Sequence, residues 1–323
     1  MRTQIDLLLF QAYPRSSTLS PQIVSNLNTY IIAHPHTSLS IPTIQALSLN
    51  PIIFSQVPAF ETVVSKLSSF IDEASWPTSI SQPKDQTKAV LLRTVLPYLK
   101  ARFPSPPVNA KTLPSATPAI LTSWIQATNA LALALPVESL FPLVDMWRLA
   151  FLDPAVGSWL TTLSPTNPPT DPISMFLLQT IKALDSPSKG SRNYVLTVVR
   201  MLCNAFSHTA LSHQLLASNS SHMREKITAD VLVPCLLHSD GLVRTAAASL
   251  AFDVSAVLQK SRVEAVKSGR GIKPYSAAED GFADWEVEMV SAVIEALDRE
   301  TENEEVGECV SVFVLFFLEF FFF

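Results

Sequence analysis

Glycine is scarce in this chain, with 7 residues against 24 prolines in a total of 323. Dinucleotide and phosphate-loop folds need glycine where the backbone must approach a phosphate, so this ratio argues against both. Cysteine is scarcer still. Cys203, Cys235 and Cys309 stand far apart and form no CxxC pair, and two of the three sit in apolar helical stretches, where a thiol behaves as a small hydrophobe. They are expected in the core, not as ligands or nucleophiles. His34-Pro35-His36 has no further ligand nearby to complete a metal set. Neither a nucleophile elbow nor an HExxH motif is present, so no cofactor, metal or catalytic site is expected and the chain reads as a non-enzyme.

Secretory features are lacking as well. The opening MRTQIDLLLFQAYPR places one Arg before an apolar run too short for a signal peptide, which leaves a reducing cytosolic or nuclear setting as the expectation. The glycosylation triplet Asn219-Ser220-Ser221 is then a chance match.

What the sequence does hold is apolar material. Hydrophobic residues make up 48% of it and the mean hydropathy is +0.27, enough for one large helical array or two ordinary domains. In 60–71, Phe60, Val63, Val64, Leu67 and Ile71 recur in helical phase. Helices are predicted over 58–74, 84–103, 118–135, 137–152, 171–184, 193–208, 223–237, 242–258 and 282–299, each bounded by Pro, Ser or Gly clusters. In the last of these, Val287, Val290, Ile294 and Leu297 form the expected apolar stripe, with Glu286, Glu288 and Glu295 facing water. Strand-like alternation is sustained nowhere, so the fold class is all-α, and the spacing fits an armadillo-like helical repeat array.

Charge is unevenly spread beneath a net value of −5. From Lys182 to Lys273 there are about twelve Lys and Arg against about six acids, whereas after Ser276 Arg299 stands alone against about thirteen acids. The basic excess is too modest, and too poor in interleaved aromatics, for nucleic acid.

Two segments carry the functional expectation. SRNYVLTVVRMLCNAFSH puts Arg200, Asn204 and His208 on one line of a helix, and GLVRTAAASLAFDVSAVL does the same for Thr245, Ser249 and Asp253, because residues four apart stack on one face. These lines read as the exposed lining of a groove for an extended peptide. Asn204 offers its amide to a peptide backbone, and Arg200 and Arg244 offer forked donors to carboxylates. His208 has two readings, a groove residue or a helix-end residue. So has Arg148, which either extends the basic lining or pairs with Asp145 three residues earlier.

The blocks LFPLVDMWRLAFLDPAVGSWL at 140–160, VVRMLCNAFSH, DGLVRTAAASLAFDVSAVL and FADWEVEMVSAVIEAL together resemble the PUL domain, the armadillo-like domain named after phospholipase A2-activating protein. The resemblance covers about 84–308. It implies an adaptor that binds the C-terminal tail of the ubiquitin-selective AAA ATPase known as valosin-containing protein, with Arg200, Asn204 and Arg244 matching the family's polar positions. Asp253 departs from the family's usual Asn, and a carboxylate there would repel an acidic tail.

Residues 34–67 are similar to the linker between a thioredoxin and a PUL domain in fungal proteins that begin with a PPPDE isopeptidase domain. The expected division is therefore 1–83 as an N-terminal helical and linker segment, 84–309 as the PUL domain, and 310–323, VSVFVLFFLEFFFF, as an aberrant aromatic tail too short to span a bilayer. Two other readings accompany the adaptor: a generic helical scaffold for another acidic peptide, and the remnant of a PPPDE-type isopeptidase lacking its catalytic domain.

Overall fold

Proline opens three of the helices among the described residues. Thr117, Asp153 and Asp171 are the N-caps of helices whose first residues are Pro118, Pro154 and Pro172. At that position proline has its φ preset and lacks only an N–H that would have no intrahelical partner. The caps satisfy the next donors: Thr117 Oγ1 accepts from the Ile120 N–H at 3.3 Å, Asp153 Oδ1 from Ala155 at 3.1 Å and Asp171 Oδ1 from Ser174 at 2.9 Å. Each such cap is worth about 1 kcal/mol against alanine.

The computed structural model describes residues 49–104, 113–163, 171–186, 188–217, 221–268 and 284–299, and no strand occurs among the described residues. In chain order the helices are α1 (Phe60–Glu73), α2 (Lys84–Val90), α3 (Leu96–Arg102), α4 (Pro118–Ala134), α5 (Phe141–Ala150), α6 (Pro154–Leu160) and α7 (Pro172–Leu184). They continue as α8 (Lys189–Phe206), α9 (Thr209–Leu216), α10 (Ser221–Ile227), α11 (Val233–Leu236), α12 (Gly241–Lys267) and α13 (Asp284–Arg299). π-helical turns at Leu91–Val95 and Thr228–Leu232 continue α2 into α3 and α10 into α11. The all-α, helical-repeat expectation is met. The His34-Pro35-His36 loop, Asn219, Ser220, Cys309 and the aromatic run 310–323 lie outside the described residues.

One compact unit runs from Pro51 to Val231. At its centre α8 lies along α5 and against α7, while α4 packs on α2 and α7. Trp124 of α4 and Trp147 of α5 stack with centroids 4.1 Å apart, Tyr98 and Phe151 flank them at 6.4 and 6.2 Å, and the Trp147 indole donates to Thr128 Oγ1 at 2.9 Å. Asp153 is fully buried beside this cluster. It accepts from the Tyr98 hydroxyl at 2.9 Å and the Ala116 N–H at 2.8 Å, and Arg102 lies 3.7 Å away. Burial first, and then the Asp153 carboxylate, push the Tyr98 phenol far above its ordinary range, so it stays a donor. Helix α1 joins through Phe70, which meets Phe141 edge-on at 6.4 Å, with Lys66 4.7 Å over the Phe141 ring.

The other unit holds the described residues from Leu232 onward, with Leu49 and Asn50. Here α11 packs against α12 and α13. Among the described side chains of α13, Met289, Ala292, Val293 and Ala296 are buried, Val290 and Ile294 of the expected stripe are half-exposed, and Glu288 and Glu295 are exposed as anticipated; the side chains of Glu286, Val287 and Leu297 lie outside the described ones. The Gly241–Ser261 stretch of α12 is long and apolar enough to cross a membrane, yet most of it is buried inside the protein, as in the core helix of a helical array. Cys203 and Cys235 are buried outside any disulfide, and burial pushes the Cys235 thiol up to about 12.

Candidate functional site

Asn204 lies at the middle of the α5–α8 packing and is fully buried, not exposed as its four-residue line suggested. A buried carboxamide needs partners, and this one has three. Its Oδ1 accepts from the Phe54 N–H at 2.7 Å, and its Nδ2 donates to the carbonyls of Phe54 at 3.1 Å and Arg148 at 2.8 Å. The first two bonds grip both main-chain polar groups of one residue in segment 51–57, which has no regular secondary structure and precedes α1. Asn204 therefore both accepts from and donates to main-chain groups, and those groups belong to its own chain.

Arg148 adds to the grip. Its two readings are combined: Nε donates to Asp145 Oδ1 at 2.6 Å, while Nη1 donates to the Phe54 carbonyl and Nη2 to the Gln56 carbonyl at 2.9 Å. Asp145 on the same helix turn thus orients a guanidinium whose fork covers two carbonyls of segment 51–57. Arg148 is buried, and its burial is tolerable because the carboxylate and the carbonyls surround it.

Arg200, one turn before Asn204 on α8, sits over the Phe54 ring with 5.2 Å between guanidinium and centroid. Its Nε is buried with no hydrogen-bond partner among the described residues. Desolvation, followed by the charge of Arg148, lowers its pKa from the ordinary arginine value, with Asp145 acting in the opposite direction. Two guanidinium groups therefore face the segment, and Asp145 is already bonded to one of them. An acidic group arriving here would meet a cation that the ring contact alone leaves underused.

His208 takes its helix-end reading. Its Nε2 donates to the Phe151 carbonyl, joining the end of α8 to the turn between α5 and α6. Burial lowers its pKa, against the raising effects of that bond and of Asp153.

Arg244, Ser249 and Asp253 belong to the other unit. Arg244 Nη1 donates to the carbonyls of His238 at 3.1 Å and Ser239 at 3.0 Å, the turn that leads into α12. Ser249 and Asp253 are buried, 4% and 1% exposed, which corrects their assignment to an exposed lining. Ser249 Oγ bonds back to the Thr245 carbonyl at 3.0 Å and Thr245 Oγ1 to Gly241 at 2.9 Å, so the hydroxyls of this line are satisfied inside the helix and can be buried with it. Phe54 and Gln56 are the site residues that sequence reasoning missed. Their contribution is main-chain, and no side-chain pattern announces it.

A family model, the PUL domain, matches residues 48–310. The match begins upstream of the boundary expected near 83 and takes in segment 51–57 and α1. No curated protein matches the chain.

Proposed function

Since the chain belongs to the PUL domain family, whose members are protein-interaction domains, we propose that it is a peptide-binding adaptor without catalytic activity of its own. Its partner in this reading is the acidic C-terminal tail of a ubiquitin-selective AAA ATPase, valosin-containing protein, which it would link to ubiquitin-dependent turnover. The supporting observation is the grip on main chain: Asn204 and Arg148 hold the backbone of Phe54 and Gln56, beside Arg200, whose buried Nε has no hydrogen-bond partner among the described residues. Main-chain donors and acceptors confer affinity for any extended segment, and the guanidinium groups select a carboxylate-bearing one.

Calorimetric titration of the full chain with a synthetic tail peptide tests the reading. Binding is expected, with a loss of about tenfold when the tail's acidic side chains are replaced by their amides, equal to roughly 1.4 kcal/mol. No detectable binding removes the AAA ATPase as partner. Equal binding of a composition-matched acidic peptide of scrambled order favours the generic acidic-peptide scaffold instead.

A further inference from the structure

Segment 51–57 has the properties of a ligand more than those of a core strand. Its contacts to Asn204 and Arg148 are made by the main-chain atoms of Phe54 and Gln56. Its side chains are incompletely buried: Ile53 is 48% and Val57 38% exposed, Ser55 and Gln56 are exposed, and Pro51, Ile52 and Phe54 are half-buried. The sequence PIIFSQV contains no acid. It therefore satisfies the backbone-reading groups while offering Arg200 a ring face and no carboxylate. Pro58 and Ala59 then connect it to α1, whose Phe60, Val64, Leu67 and Ile71 are buried, so the segment stays tethered beside its site even when released.

We infer that residues 51–57 are an intramolecular ligand, a strap that occupies the peptide site in the resting chain and leaves when an acidic extended peptide takes its place. This rests on the peptide-binding reading above. Tethering gives the strap a high effective concentration, on the order of millimolar for a short connection, and so sets a threshold that a weak or uncharged peptide does not cross. An acidic peptide matches the strap's backbone bonds and adds a partner for Arg200. The apparent affinity for any external peptide is reduced by the fraction of chains whose strap is seated.

Two full-length variants test this, one with 51–57 replaced by a Gly-Ser segment of equal length and one carrying Phe54→Ala, which keeps the backbone but removes the ring beneath Arg200. A fluorescent synthetic peptide of residues 51–58 is titrated into each, and the tail peptide is titrated separately and in competition. The labelled strap peptide is expected to bind the Gly-Ser variant, to bind the intact chain at least tenfold more weakly, and to be displaced by the tail peptide. Tail affinity should rise about tenfold in the Gly-Ser variant if the strap is seated in nine chains of ten, and by a smaller factor in Phe54→Ala.

A folded Gly-Ser variant that ignores the strap peptide and binds the tail no better than the intact chain overturns the inference while leaving the peptide-binding function standing. If the Gly-Ser variant loses its helical circular dichroism, Phe54→Ala decides: unchanged tail affinity there makes the segment a structural element and overturns the inference. Strap binding in trans with no tail binding by any variant supports the intramolecular ligand and removes the AAA ATPase tail as the competing partner.

Discussion

Gly157 of α6 and His208 at the end of α8 are in such close approach that a Cβ on Gly157 would lie 2.4 Å from the imidazole Cγ. This contact is why one of the few glycines in the chain stands within a helix, where glycine otherwise costs about 1 kcal/mol against alanine. The same imidazole bonds the Phe151 carbonyl, so displacing it breaks a hydrogen bond as well as packing. Gly157→Ala is expected to destabilise the protein by about 1–3 kcal/mol, read as a lowered midpoint of thermal unfolding. A midpoint equal to or above that of the parent would contradict the contact.

His208 also sets a pH dependence. Burial holds its folded-state pKa below the ordinary 6.5, so the unfolded chain takes up a proton before the folded one does. Stability is then fully present above about pH 6.5 and falls as the pH drops from there toward the lowered folded value, because the unfolded state binds more protons across that window. Urea midpoints compared at pH 7.5 and 5.5 should fall more for the parent chain than for His208→Gln. Parallel falls in the two proteins would assign the acid sensitivity to other groups.

Trp147 and Thr128 provide a third test, confined to the core. The Trp147 indole N–H is fully buried and bonds Thr128 Oγ1 at 2.9 Å. Thr128→Val keeps the shape and removes the acceptor, leaving a buried donor unsatisfied at a cost of about 1–3 kcal/mol. Thr128→Ser restores the acceptor and should recover part of that loss, at the expense of one buried methyl. Equal unfolding midpoints for the Val and Ser variants would show that methyl loss and hydrogen-bond loss offset each other, contrary to this expectation.

The sequence carried the helices well and the burial of their polar residues poorly. Apolar periodicity and Pro, Ser and Gly punctuation located α1, α4, α5 and α7 closely, because caps such as Asp171-Pro172 state a helix start in two residues. It passed over α6 and α9, with 7 and 8 residues, since one or two turns contain too little periodicity to stand out. Four-residue spacing placed Arg200 and Asn204 on one line, which is correct, but spacing alone does not decide exposure. Ser249 is buried because its hydroxyl finds an acceptor one turn back. Asn204 is buried because its acceptor and one of its donors find Phe54, 150 residues earlier. A polar side chain amid apolar neighbours announces that it has partners, whereas identifying a main-chain partner so distant requires the fold.

Arg200 and Arg244 can be separated by their present partners. Arg244 donates to the His238 and Ser239 carbonyls, while Arg200 has the Phe54 ring and a buried Nε with no hydrogen-bond partner among the described residues. Arg200→Ala is expected to weaken binding of the acidic tail peptide about tenfold, with helical circular dichroism unchanged, since one charge-assisted bond to a carboxylate is worth about 1.5–3 kcal/mol before desolvation. Arg244→Ala should instead lower the unfolding midpoint, by loosening the turn into α12. Raising the salt from 0.05 to about 0.5 M should weaken binding by the parent more than by Arg200→Ala, because screening acts on the charge pair that the variant lacks. Identical salt dependence for the two proteins would mean that Arg200 meets no carboxylate and that the tail is held by its main chain and apolar side chains alone.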